Sequence, residues 1–291
     1  MLISELENCE KQCFSYNEGP DKFNKWLELV KKVFRNVETV ICDDNELKTI
    51  NCTGIKKLIC CCNELDKINC EKLELLDCSG NNIRTIESYS LLELKCTYCP
   101  IETLYCPNLV KLVCDCNGKI EHVSIDSLQV LSCNNSIVKE INCPKLVELY
   151  CIDTKITFLP IMDNLIRLNC SGSLVKKLSL PNATHINCSD CKLTELICPK
   201  AQYLDCSDNK LSRLDLPVVK ILICDNNKLE TLSIPLVEEL WCQDNKLTSI
   251  CCPNAKIINC TGNPLSSLTI SQKTIVNNHK RKCYIVDNLP E

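Results

Sequence analysis

Histidine, glycine and long apolar runs are scarce in this chain of 291 residues, and each scarcity removes a class of function. Only three histidines occur, His122, His185 and His279. They form no His-Glu-x-x-His motif, and the chain has no nucleophile elbow. The six glycines, at 19, 54, 80, 118, 172 and 262, build no phosphate-binding loop. Excess positive charge is also missing. A net charge of −4 gives no electrostatic case for nucleic acid or for an anionic membrane. No apolar run approaches the length of a membrane span. The first residues, MLISELENCE, put acids where a signal peptide needs an apolar core. The expectation is a cytoplasmic protein, including the cytoplasm of an invaded host.

Cysteine, by contrast, is abundant, with 28 residues. Thirteen of them, Cys42, Cys60, Cys78, Cys96, Cys114, Cys133, Cys151, Cys170, Cys188, Cys206, Cys224, Cys242 and Cys260, recur every 18 or 19 residues. Each closes the same phrase: apolar, two variable residues, apolar, one variable residue, Cys. A short fixed period is the mark of a solenoid, in which stacked turns share one core. Cytosolic thiols stay reduced, so a disulfide framework is not expected. Neighbouring ladder cysteines would lie about 4.8 Å apart on adjacent parallel strands, with parallel Cβ vectors. That geometry does not suit a disulfide. The column reads as free, buried thiols that pack as small hydrophobes.

Thirteen units start at Val37, Ile55, Leu73, Leu91, Leu109, Leu128, Leu146, Leu165, Ala183, Ala201, Val219, Val237 and Ala255. Apolar residues hold positions 1, 4, 6, 11, 14 and 16 of each unit, and Ser88 alone interrupts these columns. Position 9 is Asn in eight units, from Asn45 to Asn263, and Cys99, Ser136, Thr154, Ser173 or Cys191 elsewhere. All are small side chains able to satisfy inward-facing backbone groups. Position 17 is Pro in seven units, which suits an extended return leg.

The phrase Leu-x-x-Leu-x-Leu-x-x-Asn-x-Leu-x-x-Leu, with Cys as its third apolar residue, resembles the leucine-rich repeat. The short unit is similar to those of leucine-rich-repeat effectors of pathogenic bacteria and of leucine-rich-repeat proteins of large DNA viruses. The resemblance implies an α/β-type solenoid, dominated by a curved parallel β-sheet. Its convex segments would be short, extended or 3-10, and its concave face would bind proteins. The expected layout is a helical N-terminal cap over 1–36, thirteen repeats over 37–270 and a C-terminal cap or tail over 271–291. In the cap, Leu2, Leu6, Cys9 and Cys13 share one helical face, and Phe23, Trp26, Leu27, Val30 and Phe34 share another. A partner-binding helix is the rival reading. The tail carries a short basic run, His279 to Lys282.

Cys96-x-x-Cys99 and Cys188-x-x-Cys191 have zinc or redox spacing. Both fall on positions 6 and 9, so the second Cys reads more simply as a substitute for Asn. Cys61, Cys62 and Cys116 stand at exposed positions 7 and 8, with no His nearby in sequence. The resemblance also raises Cys-x-Asp, the nucleophile motif of a ubiquitin ligase domain attached to some bacterial effector solenoids. Here it recurs at Cys42, Cys151, Cys188, Cys206 and Cys242 with Asp two residues later, all at one repeat position. Five structural copies argue against catalysis. No catalytic residue, metal or cofactor is expected.

Alternate strand residues face opposite sides, so positions 3 and 5 should carry the partner surface. Tyr150, Arg167, His185, Tyr203, Asp205, Ile221, Ile223, Glu239 and Trp241 fall there. Tyr, Trp and Arg are typical of binding hot spots. Position 8 adds an acidic rim of Asp153, Asp190, Asp208 and Asp244. The bland alternative is that Ile and Tyr simply favour strands. The expected function is a non-enzymatic protein-interaction module whose partner is basic and partly apolar. The alternatives are a thiol- or metal-dependent enzyme using Cys61, Cys62, Cys99, Cys116 or Cys191, and a structural scaffold.

Overall fold

The computed structural model describes residues 13–15, 22–33, 37–50, 54–68, 72–270, 274–277 and 284–285. Two compact units divide the chain, Met1–Ile137 and Val138–Glu291. Both are built from the 18-residue phrase, each turn contributing a three-residue strand at positions 3 to 5.

In the first unit the strands Cys13–Ser15, Thr39–Ile41, Lys57–Ile59, Leu75–Asp77, Glu93–Lys95, Lys111–Val113 and Val130–Ser132 pair in parallel and in order. In the second, Glu148–Tyr150, Arg167–Asn169, His185–Asn187, Tyr203–Asp205, Ile221–Ile223, Glu239–Trp241, Ile257–Asn259 and Ile275–Asn277 do the same. Register follows the repeat without slippage, because position 4 must stay buried and a one-residue slip would expose it. Leu58, Leu94, Leu112, Leu149, Leu204, Leu222 and Leu240 are fully buried, flanked by residues that reach solvent.

The ladder cysteines from Cys42 to Cys260 are buried, and they and the ten other cysteines whose side chains are described form no disulfide. Burial pushes the Cys114, Cys188, Cys206, Cys224 and Cys242 thiols well up, so they are neutral apolar groups at physiological pH. Burial likewise raises Cys106 to about 11 and Cys198 and Cys252 to about 12.

The position-9 asparagines tie each turn to the one before it. Asn227 Nδ2 donates to the carbonyls of Cys206 (2.9 Å) and Cys224 (3.2 Å), and its Oδ1 accepts the Leu211 N–H at 2.9 Å. Asn63, Asn81, Asn209, Asn245 and Asn263 repeat this pattern. The substitutes keep part of it. Cys99 and Cys191 reach the carbonyls of Cys78 and Cys170 one turn back, at 3.1 and 3.2 Å. Ser136 and Thr154 reach only the ladder Cys of their own turn.

Position 8 has a geometric reason for its composition. All thirteen residues there, from Asp44 to Gly262, have φ between 49° and 76°. This left-handed bend turns the position-8 N–H of eleven of these turns onto a carbonyl of the following turn, as in Asp190 to Ser207 and Asp208 to Asp225, both 3.0 Å. Gly, Asn and Asp tolerate the bend best, and they fill ten of these sites. Cys62, Tyr98 and Cys116 adopt it at a cost. The Asp column is thus first a backbone requirement.

At the N-terminus, Cys13 lies in a strand registered on Thr39, which corrects the helical face assigned to it from sequence. The first place in the parallel ladder fits it because pairing with an existing edge supplies the hydrogen bonds that a short helix would have to make alone. Leu2, Leu6, Cys9 and Phe34 lie outside the described residues, as does the basic run from His279 to Lys282. Phe23–Val33 is helical, with Phe23, Leu27 and Val30 buried. Past Ile270 the ladder goes on: Ile275 is registered on Ile257, and Tyr284–Ile285 pairs with Ser267–Leu268.

On the return side, positions 13 to 15 form short strands that pair only in patches. Thr85–Glu87 pairs with Thr103–Tyr105, Lys177–Ser179 with Glu195–Ile197, and Thr231–Ser233 starts a four-stranded run. Cavities open at breaks in this ladder. One of about 520 Å³ separates Glu102–Leu104 from Lys119–Ile125, and one of about 310 Å³ separates Thr194–Pro199 from Arg213–Asp215.

Candidate functional site

The nine residues assigned to the partner surface all project from one ladder of the second unit. Register sets them in two columns. Position 3 runs Glu148, Arg167, His185, Tyr203, Ile221, Glu239, and position 5 runs Tyr150, Asn169, Asn187, Asp205, Ile223, Trp241. Strand spacing of about 4.8 Å makes each residue a direct neighbour of the next in its column.

The face has two parts. In the first, charge is internally matched. Arg167 Nη1 lies 2.7 Å from Glu148 Oε1, and the Tyr150 hydroxyl donates to Glu148 Oε2 at 3.1 Å. Burial, then that carboxylate, raises the Tyr150 phenol. His185 Nδ1 lies 2.9 Å from Thr184 Oγ1.

In the second part, Tyr203, Ile221, Ile223 and Trp241 are half-buried side by side. Burial, then Asp205, raises the Tyr203 phenol. The surrounding acids are Asp205, Asp225 and Glu239, and no Lys or Arg occupies positions 3, 5, 7 or 8 from Tyr203 to Gly262. None of these acids makes an ion pair among the described residues.

A local rule separates structural from spare residues. The position-7 N–H needs an acceptor. Where position 5 is Asp or Asn, its Oδ1 supplies one within the turn: Asp77 to Ser79 (3.3 Å), Asn169 to Ser171 (3.2 Å), Asn187 to Ser189 (3.0 Å), Asp205 to Ser207 (3.1 Å) and Asn259 to Thr261 (3.4 Å). Where position 5 is Ile59, Ser132 or Trp241, the preceding turn's position-7 Asp takes over. Asp43 accepts from Cys61 (2.6 Å), Asp115 from Asn134 (2.8 Å) and Asp225 from Gln243 (2.6 Å). Asp205 therefore has a backbone task. Trp241 has none, because Asp225 performs it. Sequence reasoning missed Asp225; the signal was that Asp at position 7 precedes turns lacking Asx at position 5.

The candidate thiols do not gather. Cys61 donates to Asp77 Oδ1 at 3.1 Å, and burial followed by that carboxylate pushes its thiol far up, away from thiolate character. Cys62 is exposed and Cys116 half-exposed at separate turns, while Cys99 and Cys191 are buried in the Asn column. Among the described residues, no three His, Cys, Asp or Glu side chains converge as a metal site would require.

No family model matches the sequence, and no curated protein does. Solved structures do match. YopM from Yersinia enterocolitica WA-314 aligns with TM-score 0.74 at 20% identity, over 99% of this chain and 73% of that one. The leucine-rich-repeat protein LIC12759 of Leptospira interrogans aligns with TM-score 0.64 at 17% identity, over 94% and 91%. The functional domain of InlJ from Listeria monocytogenes, described as including a cysteine ladder, aligns with TM-score 0.54 at 21% identity, over 70% and 57%. The fold is that of the leucine-rich-repeat proteins: a parallel-strand solenoid of about thirteen turns with little helix.

Proposed function

We propose that the protein is a non-enzymatic interaction module, cytoplasmic in its own or a host cell. It binds a protein partner on the strand face that the repeat makes concave, between Tyr150 and Trp241. The observation that carries this reading is the half-buried quartet Tyr203, Ile221, Ile223 and Trp241 on adjacent strands. Aromatic and branched apolar residues grouped on an open face are what hot spots are made of. The rigid ladder beneath, fixed by buried Asn and Cys, holds them in place before any partner arrives, which lowers the ordering cost of association. The scattered thiols give an enzyme reading no comparable support.

The test is a pull-down with the intact protein beside a Tyr203→Ala/Trp241→Ala double variant whose melting temperature is unchanged. A protein retained by the intact chain and lost by the variant supports the site. Equal retention moves the interface to the return side or the termini.

A further inference from the structure

The quartet sits among carboxylates that form no ion pair among the described residues, Lys256 being paired with Glu238 and acting on Glu239 only at longer range, and at positions 3 and 5 this differs from the rest of the strand face. Elsewhere, acids at positions 3 and 5 are matched by the next turn, Asp77 with Lys95, Glu93 with Lys111 and Glu148 with Arg167, whereas Asp43 and Asp115 at position 7 share the backbone role of Asp225 and stand away from any such apolar group. Around the quartet, Asp205 and Glu239 flank Tyr203, Ile223 and Trp241, and Asp225 lies two residues beyond Ile223. Asp208 and Asp244 at position 8 are explained by their left-handed backbone. Asp225 is not. Its Oδ1 accepts the Gln243 N–H, a bond that an Asn side chain could also accept. Burial raises its carboxyl above the ordinary range, against the hydrogen bonds from Gln243, and the nearby Asp205 and Asp208 add to the rise. An ionised group held half-buried beside like charges gains most from a cation brought in from outside.

Resting on the interaction reading above, we infer that the quartet is the seat of a partner segment carrying a Lys or Arg next to an apolar side chain. The apolar group packs on Ile221, Ile223 and Trp241. The cation sits on the Asp225 carboxylate, steadied by Asp205 and Glu239. Asp225 thus has two tasks: it takes over the Gln243 N–H, which frees position 241 for tryptophan, and it reads the partner's charge.

The experiment selects a phage-displayed random dodecapeptide library on the full chain, then measures the enriched peptides against Trp241→Ala and Asp225→Asn. The Asp225→Asn variant keeps an acceptor for Gln243, and an unchanged melt shows that it is folded. The inference expects peptides with Lys or Arg beside an apolar residue. Their affinity should fall about tenfold or more in each variant, and replacing that cation by Gln should make intact protein and Asp225→Asn bind alike. Peptides without a cation, lost in Trp241→Ala but untouched by Asp225→Asn, would overturn the inference and leave the interaction site standing. Peptides insensitive to both variants, or no enrichment over bare support, would overturn the inference. Insensitivity to both would in addition remove the site itself.

Discussion

The strand face of the first unit and that of the second from Tyr203 onward are made by the same repeat, yet they treat charge in opposite ways. On the first, Lys95 and Lys111 answer Asp77 and Glu93 one turn away. On the second, Tyr203, Ile221, Ile223 and Trp241 stand among acids with no cation at positions 3, 5, 7 or 8. The core beneath cannot be the cause, since Asn, Cys and Leu columns run through both. What differs is confined to positions the fold leaves free. A surface that closes its own charge pairs has little to offer a partner, whereas one that leaves them open is specific for whatever closes them.

The largest expected effect shows what the two regions share. Asn63→Ala strands the buried N–H groups of Asn45 and Leu47, and Asn227→Ala that of Leu211, so each should lose about 2 kcal/mol or more in urea unfolding, Asn63→Ala the more. Thr154→Ala, which removes one local bond, should lose about 1 kcal/mol. A smaller loss at Asn63 than at Asn227 would mean that the cores differ after all.

Next comes strain. Tyr98 holds φ at 58°, a conformation that costs a bulky residue about 1 kcal/mol. Tyr98→Gly should therefore raise the melting temperature, while Asp208→Ala, at φ 54°, should lower it. If both changes were neutral, the backbone explanation of the acidic column would fail, and those acids would return as binding candidates.

Charge gives the smaller contrasts. Lys95→Ala breaks an exposed pair with Asp77 and should cost under about 1 kcal/mol. Asp225→Asn should do the reverse. Its raised carboxyl favours the protonated folded state, so the stability it contributes is present below the unfolded pKa and lost as pH rises through the folded one. The variant should match the parent in acid and exceed it at neutral pH, as read from melts across pH. For the thiols, a disulfide reagent should label exposed Cys62 well before Cys61, which burial and then Asp77 hold protonated, and Asp77→Asn should narrow that gap.

Much of this was open to a reader of the sequence. The columns at positions 4, 6 and 9 announce a stacked core, and alternation alone sorts Tyr203, Ile223 and Trp241 onto one face. Three things were hidden, for physical reasons. Asp at position 8 reads as charge, although Gly80, Gly172 and Gly262 in the same column pointed to backbone conformation. The exchange of the Gln243 N–H between position 5 and the preceding Asp225 spans two turns, so no local pattern shows it. Cys13–Ser15 and Ile275–Asn277 join the ladder without the repeat phrase, because an open strand edge supplies hydrogen bonds to whatever extended segment lies against it.

The most direct measurement is the affinity of a captured partner for two matched variants, Trp241→Ala in the second unit and Leu75→Ala on the strand face of the first. The expected result is a loss of more than about 1 kcal/mol for Trp241→Ala and no change for Leu75→Ala. Unchanged affinity for Trp241→Ala, or an equal loss in both, would contradict a partner seat built on the uncompensated face.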